Sequence, residues 1–575
     1  MTPFPRPVPV IGDRSAASER AADPAGWALA AADRDGLYRV IAARRDIRRF
    51  RPDPVPDEVL TRVLAAGHQA PSVGHSQPWR FVVVTDAGTR DRAAVLTDSE
   101  RLRQAAQLDP DAGRRLLDLQ LEGVRDAPLG VVVCCDRRAP AAGVLGRATF
   151  PDADLWSCAA AIQNLWLAAR AEGLGMGWVT LFRPADLAAL LGLPDGVVTL
   201  GWLCLGWPDE RPPDPGLERA GWSRRQPLSD VVLRERWPGG SDPAPPPSRL
   251  RAPDQPAVVA ARDAGDRLLT PPGSLGVLDR AVDRALARGH TALAGGVLVL
   301  AAADHPVAAH GVSAYPARTT RDVVTAAVAG TAVGATAARE AGLSTVVVDA
   351  GVGGSPVPGA VDVRPVGPRG DLVASASLTS DDVHALVEAG RALGADHGRG
   401  GLVALGEVGV GNTTVAAALA CALLDLPPGE VVGLGSGADS AMVERKLAAV
   451  TAALARAGTG LSPEDALAEL GGPEFAGLAG VVLGAAEAGA VVVLDGFATS
   501  VAALVAVLIE PAAQSALVAG QRSRERGHAH VLQALGCEPL LDLRLRAGEG
   551  VGASLAAGLL RQGVAIRATA ARVDR

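Results

Sequence analysis

The segment Leu405–Lys446, LGEVGVGNTTVAAALACALLDLPPGEVVGLGSGADSAMVERK, decides how the second half of this chain folds. An apolar run ends at its first residue and breaks into a glycine-rich turn that carries one acid, Glu407. Asn412 and Thr413 are typical helix caps, and the small-residue stretch Val415–Leu424 follows them. The segment therefore predicts a strand, a glycine turn and a buried helix in succession.

A second glycine turn, Gly433–Gly437, leads into another predicted helix, and Lys446 lies about two turns into that helix. Lys446 is the only lysine in the chain. One interpretation is that a GC-rich genome replaced Lys by Arg and left a single survivor by chance. The other is that this position needs a compact ammonium group on a flexible stem. A lone lysine leaves both interpretations open.

The same pattern recurs through the second half. Five strands are predicted, at Val297–Ala302, Thr345–Asp349, Gly401–Leu405, Ala490–Leu494 and Leu540–Leu545. Repeated strand–turn–helix units favour a doubly wound, Rossmann-like parallel sheet, here with a small helical subdomain. Acids follow four of the strands: Asp304, Glu407, Asp495 and Glu549. Helix capping explains any single acid more simply, whereas for four acids at the edge where ligands bind, an active site is an equally good explanation.

Five motifs in this half carry a family resemblance. They are LTPPGSLGVLD (Leu269–Asp279), ADHPVAAHGVSAYP (Ala303–Pro316), the Leu405–Lys446 segment, VLDGFATS (Val493–Ser500) and PLLDLRLRAGEGVGASLAAGLL (Pro539–Leu560). In this order they resemble the nicotinate-nucleotide:dimethylbenzimidazole phosphoribosyltransferases over nearly all of residues 252–570. The resemblance implies transfer of phosphoribose from nicotinate mononucleotide to 5,6-dimethylbenzimidazole, giving α-ribazole 5′-phosphate and nicotinate in cobalamin biosynthesis.

The resemblance also implies residue roles. Glu549 is the expected base for the azole proton and Glu407 the second carboxylate, because an apolar pocket raises the pKa of a carboxyl group. The implied substrate-binding residues are Lys446, Gly435, Gly437, Asp304, Gly409 and Asn412. Two departures concern the base pocket: Pro306 replaces the glycine common after Asp-His, and Gly311 offers no side chain to the benzimidazole. No metal is expected, since His528 and His530 have no third ligand at suitable spacing.

The first half opens with a predicted helix over Gly36–Arg45, ending in the basic cluster RRDIRRF, Arg44–Phe50. Three prolines stop it, and Asp57 begins the next helix. The cluster is either a solvated helix end that complements the helix dipole or a clamp for phosphate. In APSVGHSQPWRFVVVTD, Ala70–Asp86, the Gln77 amide either bonds the edge of a planar ligand or belongs to an ordinary loop.

Two further motifs complete this half. LEGVRDAPLGVVVCCD, Leu121–Asp136, predicts a helix and a buried strand. NLWLAARAEGLGMGWVTLF, Asn164–Phe182, predicts a helix, the turn Gly173–Gly177 and the strand Trp178–Phe182. Together with the arginine cluster and the Gln77 loop, these motifs resemble the α+β nitroreductase-like flavoproteins, and more narrowly the 5,6-dimethylbenzimidazole synthases, over residues 36–237.

That resemblance implies that reduced FMN is consumed with O₂ as co-substrate and yields dimethylbenzimidazole. The implied flavin-binding residues are Arg44, Arg45, Arg48, Ser72, Gln77 and Gly175. Asp46 is the implied acid or base near the ring, because the reaction needs several proton transfers. Thr180 stands where the family usually has Ser and keeps the hydroxyl. His75 and Ser76 depart from the aromatic residue and Met that more often cover the flavin.

Composition sets the domain organisation. All nine Trp lie at or before Trp237, and a proline-rich segment follows. The expected divisions are a flexible leader over 1–30, a synthase domain over 31–237, a linker over 238–256 and a transferase domain over 257–575. With 56 basic and 63 acidic residues the net charge is −7, so no nucleic-acid surface is expected. Six cysteines without metal spacing, and a leader without an apolar core, favour a cytoplasmic protein.

The sequence therefore predicts a bifunctional enzyme in which one domain makes the base that the other consumes. One alternative is an NAD(P)H-dependent nitroreductase fused to the transferase, and another is a non-catalytic flavin or nucleotide sensor. The expected partners are small molecules and a flavin reductase as the electron source. Both resemblances imply a homodimer or a higher homo-oligomer, with the flavin at the dimer interface in the first half.

Overall fold

The computed structural model describes residues 7–119, 123–239, 248–435 and 439–573. The chain divides into two compact units, one of Met1–Gly26 with Ala244–Arg575 and one of Trp27–Pro243. The second division falls inside the proline-rich segment 238–256. In the segment predicted as a leader, Ala17–Ala22 is helical, and Arg20 pairs with Asp263 at 2.6 Å within the larger unit.

The first half of the chain contains helices α1 (Ala17–Ala22), α2 (Ala31–Ala43), α3 (Asp57–His68), α4 (Ala87–Ala105), α5 (Pro110–Asp118), α6 (Ala153–Ala171), α7 (Pro184–Leu191), α8 (Gly216–Arg219) and α9 (Leu228–Val231), and strands β1 (Trp79–Val84), β2 (Leu129–Asp136), β3 (Gly175–Val179) and β4 (Val197–Gly206). The strands form one antiparallel sheet in the order β1-β2-β4-β3. Helices α3 and α6 pack on one face through Val63, Ile162 and Leu165. Buried Trp202 packs on the other face, where a side chain at Gly130 would collide with its ring.

The second half contains helices α10 (Gln255–Asp266), α11 (Val277–Ala287), α12 (Arg318–Val328), α13 (Val333–Glu340), α14 (Ser380–Gly398), α15 (Asn412–Leu424), α16 (Pro428–Val431), α17 (Ser440–Ala457), α18 (Pro463–Leu470), α19 (Pro473–Glu487), α20 (Phe497–Ile509), α21 (Gly527–Ala534) and α22 (Val551–Thr569), and strands β5 (Gly296–Ala303), β6 (Leu343–Gly351), β7 (Val361–Asp362), β8 (Leu402–Val408), β9 (Val491–Leu494) and β10 (Leu517–Ala519). The strand order is β10-β9-β8-β5-β6-β7, and every pairing is parallel. This confirms the predicted doubly wound sheet. Its connections reverse direction between β5 and β8, which is where such sheets bind ligands.

Helices cover both faces of the parallel sheet. On one face α14 and α19 cross so closely that side chains at Gly390 and Gly394 would meet the backbone of α19 at 2.0 and 2.2 Å. On the other face α22 packs on α11 and α13, and α10 packs beside α11. Buried Arg567 of α22 ties this helical group together, because it donates to Asp279 and Asp283 at 2.9 and 2.7 Å.

One predicted strand is wrong. The segment Leu540–Leu545 forms no strand, and the edge of the sheet is β10. Leu541 makes an isolated bridge to Gln521, and the amides of Leu540 and Leu541 donate to the carbonyls of Ala519 and Gly520 at 3.0 Å each. The reason is conformational: Arg544 has a φ of 56°, which ends any extended ladder. Glu549 consequently follows an irregular segment and not a strand.

Two local predictions also change. Asn412 and Thr413 lie inside the first turn of α15, and Gly411, with a φ of 95°, occupies the capping position. Asn412 Oδ1 accepts the Thr413 amide at 2.7 Å, and Thr413 Oγ1 accepts a hydrogen bond from the Lys446 ammonium at 2.9 Å. In the first half, the predicted turn Gly173–Gly177 is shorter, because β3 begins at Gly175 and pairs with β4 at once.

Candidate functional sites

A cavity of about 490 Å³ opens at the carboxyl edge of the parallel sheet. It brings together six residues predicted for the site: Glu407, Gly409, Asn412, Gly435, Lys446 and Glu549. The loop residues Val312–Tyr315 form part of its wall, so the Ala303–Pro316 motif borders the cavity. The cavity lies beyond the end of β8, beside the point where the sheet reverses.

Glu407 is the most perturbed acid of this cavity. Its carboxylate accepts a hydrogen bond from the amide of Asn412, which explains why that side chain does not cap α15. Burial, which outweighs the Asn412 bond, raises the pKa of Glu407 to about 8, and the charges of Glu474, Asp495 and Glu549 add to the rise. At neutral pH Glu407 is therefore mainly protonated.

Glu549 reaches the same cavity from the turn before α22. Its backbone fits between two glycines, since a side chain at Gly334 or Gly406 would lie within 2.0 or 2.8 Å of it. Glu549 has a φ of 55°, and its Oε2 accepts a hydrogen bond from the amide of Gly334 at 3.0 Å. Left-handed backbone at a side-chain-bearing residue is uncommon and concentrates at functional sites. The Gly334 contact aims this carboxylate along the cavity wall.

Asp495 holds the turn beneath Glu549. Its carboxylate accepts bonds from the amides of Gly550, Gly552 and Ala553 at 3.2, 2.7 and 3.2 Å, which are the free donors at the start of α22. Burial raises the pKa of Asp495 to about 6 despite these bonds. Asp495 is therefore chiefly a structural cap that also borders the cavity.

Lys446 lines another part of the cavity wall. The residue is only 4% exposed, and its ammonium donates to Thr413 Oγ1 at 2.9 Å. Burial lowers the pKa of Lys446, and the charge of Glu525 opposes that shift. Gly435 has a φ of 61°, and a side chain there would lie 2.7 Å from the ammonium, so this turn requires glycine.

The sequence interpretation missed Glu525 and Gln521. Glu525 Oε1 accepts a bond from the Gly435 amide at 2.7 Å and so fixes the turn beside Lys446. Gln521 borders the cavity with its Oε1 buried and without a hydrogen-bond partner among the described residues. Neither residue lies on a strand or helix whose pattern of apolar residues would have pointed to the cavity. Only an alignment of relatives could have identified them from sequence.

One predicted residue lies elsewhere, and another falls outside the residues that the structure describes. Asp304 is outside the cavity, and its Oδ2 accepts a bond from the Gly353 amide at 2.7 Å. Gly437 lies outside the described residues. His528 accepts a bond from the Ser523 amide at 2.9 Å and contacts Ser500 Oγ at 3.0 Å, and burial lowers its pKa to about 4. It is thus a neutral structural side chain that shapes the turn holding Ser523.

In the unit formed by Trp27–Pro243, the arginine cluster runs beside β3. Ile47 donates its amide to the Met176 carbonyl at 3.1 Å, and Asp46 bridges to the same residue. Arg48 donates to Asp46 Oδ2 at 2.6 Å, and the Trp178 amide donates to Asp46 Oδ1 at 3.3 Å. Asp46 is held in place by these two bonds while 45% of its side chain stays exposed, so it is available to a ligand.

Arg44 and Arg45 differ in their surroundings. The Arg44 guanidinium stacks over Trp166 at 4.4 Å from the ring centre, and no carboxylate of the described residues pairs with it. Burial lowers the pKa of Arg44, and the charges of Arg225 and Arg45 lower it further, against the opposite effect of Asp46. Arg45 instead donates to the carbonyls of Ala42, Arg44 and Pro213. Arg44 is thus the guanidinium most available to an anion.

The remaining predicted flavin residues lie in two places, the loop before β1 and the strand β3 with the residue after it. Ser72 Oγ accepts a bond from the Gln77 amide at 3.1 Å, and Ser157 of α6 holds this loop through the Val73 amide. Nine residues separate Ser157 from Trp166, so the loop and the Arg44 cluster are about 14 Å apart along the helix. Thr180 is exposed just after β3. Gly175 is buried, where a side chain would collide with Ile47, which indicates packing.

The described residues contain neither a cluster of metal ligands nor a helix that could span a membrane. Across the described ranges, no three His, Cys, Asp or Glu side chains are arranged to hold a metal ion. No helix in that same part of the chain has the length and apolarity needed to cross a bilayer. All six cysteines are free.

Fold and sites together define the class: an α/β transferase unit with an acidic nucleotide-sized cavity, joined to an α+β unit of the nitroreductase type. A phosphoribosyltransferase family profile matches residues 250–575, and a nitroreductase family profile matches residues 41–207. The chain belongs to the phosphoribosyltransferase family through its second half and to the 5,6-dimethylbenzimidazole synthase family through its first.

Individual relatives support both assignments. A 5,6-dimethylbenzimidazole synthase of Rhodospirillum rubrum is 46% identical over 196 residues, which are 34% of this chain and 92% of that protein. A nicotinate-nucleotide–dimethylbenzimidazole phosphoribosyltransferase of Pseudomonas aeruginosa is 41% identical over 316 residues, which are 54% of this chain and 90% of that protein. The crystal structure of the corresponding enzyme from Thermus thermophilus superposes with a TM-score of 0.52 at 40% identity, covering 56% of this chain and 99% of that one.

Proposed function

We propose that this chain makes 5,6-dimethylbenzimidazole in its synthase unit and attaches it to phosphoribose in its transferase unit, forming the lower-ligand nucleotide of cobalamin. The observation that carries the proposal is the single cavity in which Glu407, Glu549 and Lys446 meet, in a chain whose other unit belongs to the synthase family. Fusion raises the local concentration of the shared intermediate for the second reaction.

In the transferase unit, the unprotonated azole nitrogen attacks C1′ of nicotinate mononucleotide. A C1′–N bond to the azole forms while the C1′–N bond to nicotinate breaks, and attack from the opposite face inverts the anomeric centre. The pyridinium needs no acid to leave. Glu549 takes the azole N–H proton: its Oε2 is held by the Gly334 amide, and Oε1 has no hydrogen-bond partner among the described residues.

Glu407 and Lys446 complete this site. Because Glu407 is mainly protonated at neutral pH, it adds no full negative charge beside Glu549 and can donate a hydrogen bond to substrate. The Lys446 ammonium and the Gly435 turn bind the phosphate and ribose, with Gly409 and Asn412 lining the same cavity. Buried ammonium and turn amides are typical phosphate donors.

In the synthase unit, the residues present fit FMN. Arg44 is a guanidinium without a carboxylate partner among the described residues, beside two further arginine charges, and so suits the phosphate. The Ser72–Gln77 loop, about 14 Å along α6, is at a distance suited to the other end of an extended ligand. When bound and reduced, FMN supplies the carbon atoms of dimethylbenzimidazole, and O₂ is the oxidant.

Asp46 moves protons at that site. Arg48 and the Trp178 amide fix one carboxylate oxygen each, so the group has a set orientation while part of it stays accessible. A positioned carboxylate is suited to repeated proton transfer. The Thr180 hydroxyl is a second donor or acceptor near the end of β3, and Arg48 and Arg45 stabilise the loop that presents Asp46.

We also propose a homodimer in which the flavin lies at the interface, with a flavin reductase as electron source. Three apolar side chains of α2, Leu37, Tyr38 and Ile41, are 48%, 64% and 46% exposed, directly before the Arg44 cluster. Exposed apolar patches of this kind mark protein interfaces. The free cysteines support a reducing, cytoplasmic location.

One experiment tests the whole proposal. The purified chain is mixed with reduced FMN, O₂ and nicotinate mononucleotide, and products are followed by mass spectrometry. α-Ribazole phosphate is the expected product. Dimethylbenzimidazole added without FMN tests the transferase alone. Reduction of a nitroaromatic without fragmentation of FMN would favour the nitroreductase alternative, and binding without any turnover would favour a sensor.

A further inference from the structure

A second recess of about 590 Å³ adjoins the transferase cavity. It is lined by Arg522, Ser523, Arg524, Asp542, Arg544 and Arg546. Ser523, Arg524 and Arg546 also line the transferase cavity, so the two spaces share a border. From Arg524 on this border the chain continues directly to Glu525, which bonds the Gly435 turn beside Lys446.

The recess is strongly cationic. Four guanidinium groups face it and only one carboxylate, that of Asp542, while the whole chain carries a net charge of −7. None of the four arginines forms an ion pair with another described residue, although many such pairs occur elsewhere in those ranges. Their field reaches a neighbouring side chain, because the charge of Arg522 adds to burial in lowering the pKa of His528. Clustered, uncompensated arginines of this kind attract anions.

The backbone of the recess is also unusual. Arg544 adopts a φ of 56°, a region that side-chain-bearing residues rarely occupy, and this conformation ends the extended segment after Leu541. One segment of the recess carries Arg522 and Arg524, and the other carries Arg544 and Arg546. The two segments are joined by the Gln521–Leu541 bridge and by the Arg522 amide, which donates to the Leu541 carbonyl at 2.7 Å. The four guanidinium groups are thus carried by two segments joined at a fixed register.

We propose that these four arginines form an anion-binding rim that captures the phosphate monoester of the nucleotide substrate before it passes to the Lys446 wall. This inference rests on the proposed transferase function. The ligand class is a phosphate monoester, because the recess opens beside the transferase cavity and presents four guanidinium groups against one carboxylate, which suits a dianion. Arginine forks match phosphate oxygens, and a cationic mouth raises the association rate of an anionic substrate.

The test substitutes Arg524 and Arg544 in the full chain, as R524A/R544A, with R526A as the matched control. Arg526 is also exposed on the same segment but lines neither space. Transferase kcat/KM for nicotinate mononucleotide is measured with dimethylbenzimidazole supplied, from about 0.01 M to about 1 M salt, over which the Debye length falls from about 30 Å to about 3 Å. Binding of ribose 5-phosphate is measured in parallel by calorimetry.

At low salt the double variant is expected to lose about tenfold in kcat/KM, and its salt dependence should flatten, whereas R526A follows the wild type. A merely structural role would lower activity at every salt concentration alike and would overturn the proposal. Equal kcat/KM and equal salt slopes in all three proteins would overturn it too. If the wild type has no transferase activity, the proposed function fails, and the rim is then judged by calorimetry: salt-dependent ribose 5-phosphate binding that the double variant loses supports it, and equal binding refutes it.

Discussion

Replacing Glu407 by Gln tests whether the transferase cavity buries a carboxyl group at a cost in folding free energy. Gln has the same shape and keeps an oxygen to accept the Asn412 hydrogen bond. Unlike Glu, Gln has no ionisable proton. The difference in unfolding free energy between the two proteins therefore reports the cost of burying the Glu407 charge.

The magnitude follows from the pKa. The difference between 4.5 and about 8 corresponds to about 5 kcal/mol at about 1.4 kcal/mol per pH unit, as an upper limit. Since the cavity admits water, about 2–4 kcal/mol is expected between pH 5 and pH 9.5. The folded pKa is raised, so this contribution to stability is present below pH 4.5 and is lost as pH rises through 8. Glu407→Gln should therefore gain about 2–4 kcal/mol over the wild type between pH 5 and pH 9.5.

Urea unfolding at the two pH values measures this difference. Tryptophan fluorescence follows only the synthase unit, because all nine Trp lie at or before Trp237, while circular dichroism follows both units. An unfolding transition that is seen by circular dichroism but not by fluorescence is then the unfolding of the transferase unit. Glu444→Gln, an exposed position on α17, controls for loss of one negative charge. Equal stability differences at pH 5 and pH 9.5 for Glu407→Gln would refute the argument.

Four further predictions concern binding, catalysis and backbone. Glu549→Gln should retain nucleotide binding by calorimetry but lose about 10²–10⁴ in transferase kcat, and full activity would exclude it as the base. Lys446→Arg should raise KM for nicotinate mononucleotide about tenfold, because a planar guanidinium cannot replace a buried ammonium; wild-type kinetics would restore the chance explanation of the single lysine. Gly435→Ala should destabilise the transferase unit by about 1 kcal/mol or more, while Gly429→Ala, whose added carbon meets nothing within 4 Å, should not; equal melting would contradict the clash with Lys446. Asp46→Asn should still bind FMN by fluorescence titration but form no dimethylbenzimidazole, and unchanged product would remove Asp46 from the mechanism.

Local sequence determined the elements that depend on burial and on short-range turns. The apolar runs ending near Ala303, Leu405 and Leu494 form parallel strands, because a strand buried on both faces needs uninterrupted apolar residues. Glu407 is the second-last residue of β8, and the glycine turn that follows the strand leaves it at the sheet edge. The motif order then identified both families, as the relatives confirm.

Tertiary structure decided which polar side chains meet. Glu549 reaches the cavity through a left-handed turn between Gly334 and Gly406, and Gly334 is 215 residues away in sequence. The Gly435 turn is fixed by Glu525, 90 residues distant, whereas Asp304 turns away to bind the Gly353 amide. Hydrogen bonds of this kind leave no periodic trace in the chain, because they depend on where separate elements come to rest against one another. The residues themselves thus specified a wound sheet with acids at its edge, and packing alone selected the acids that share a cavity.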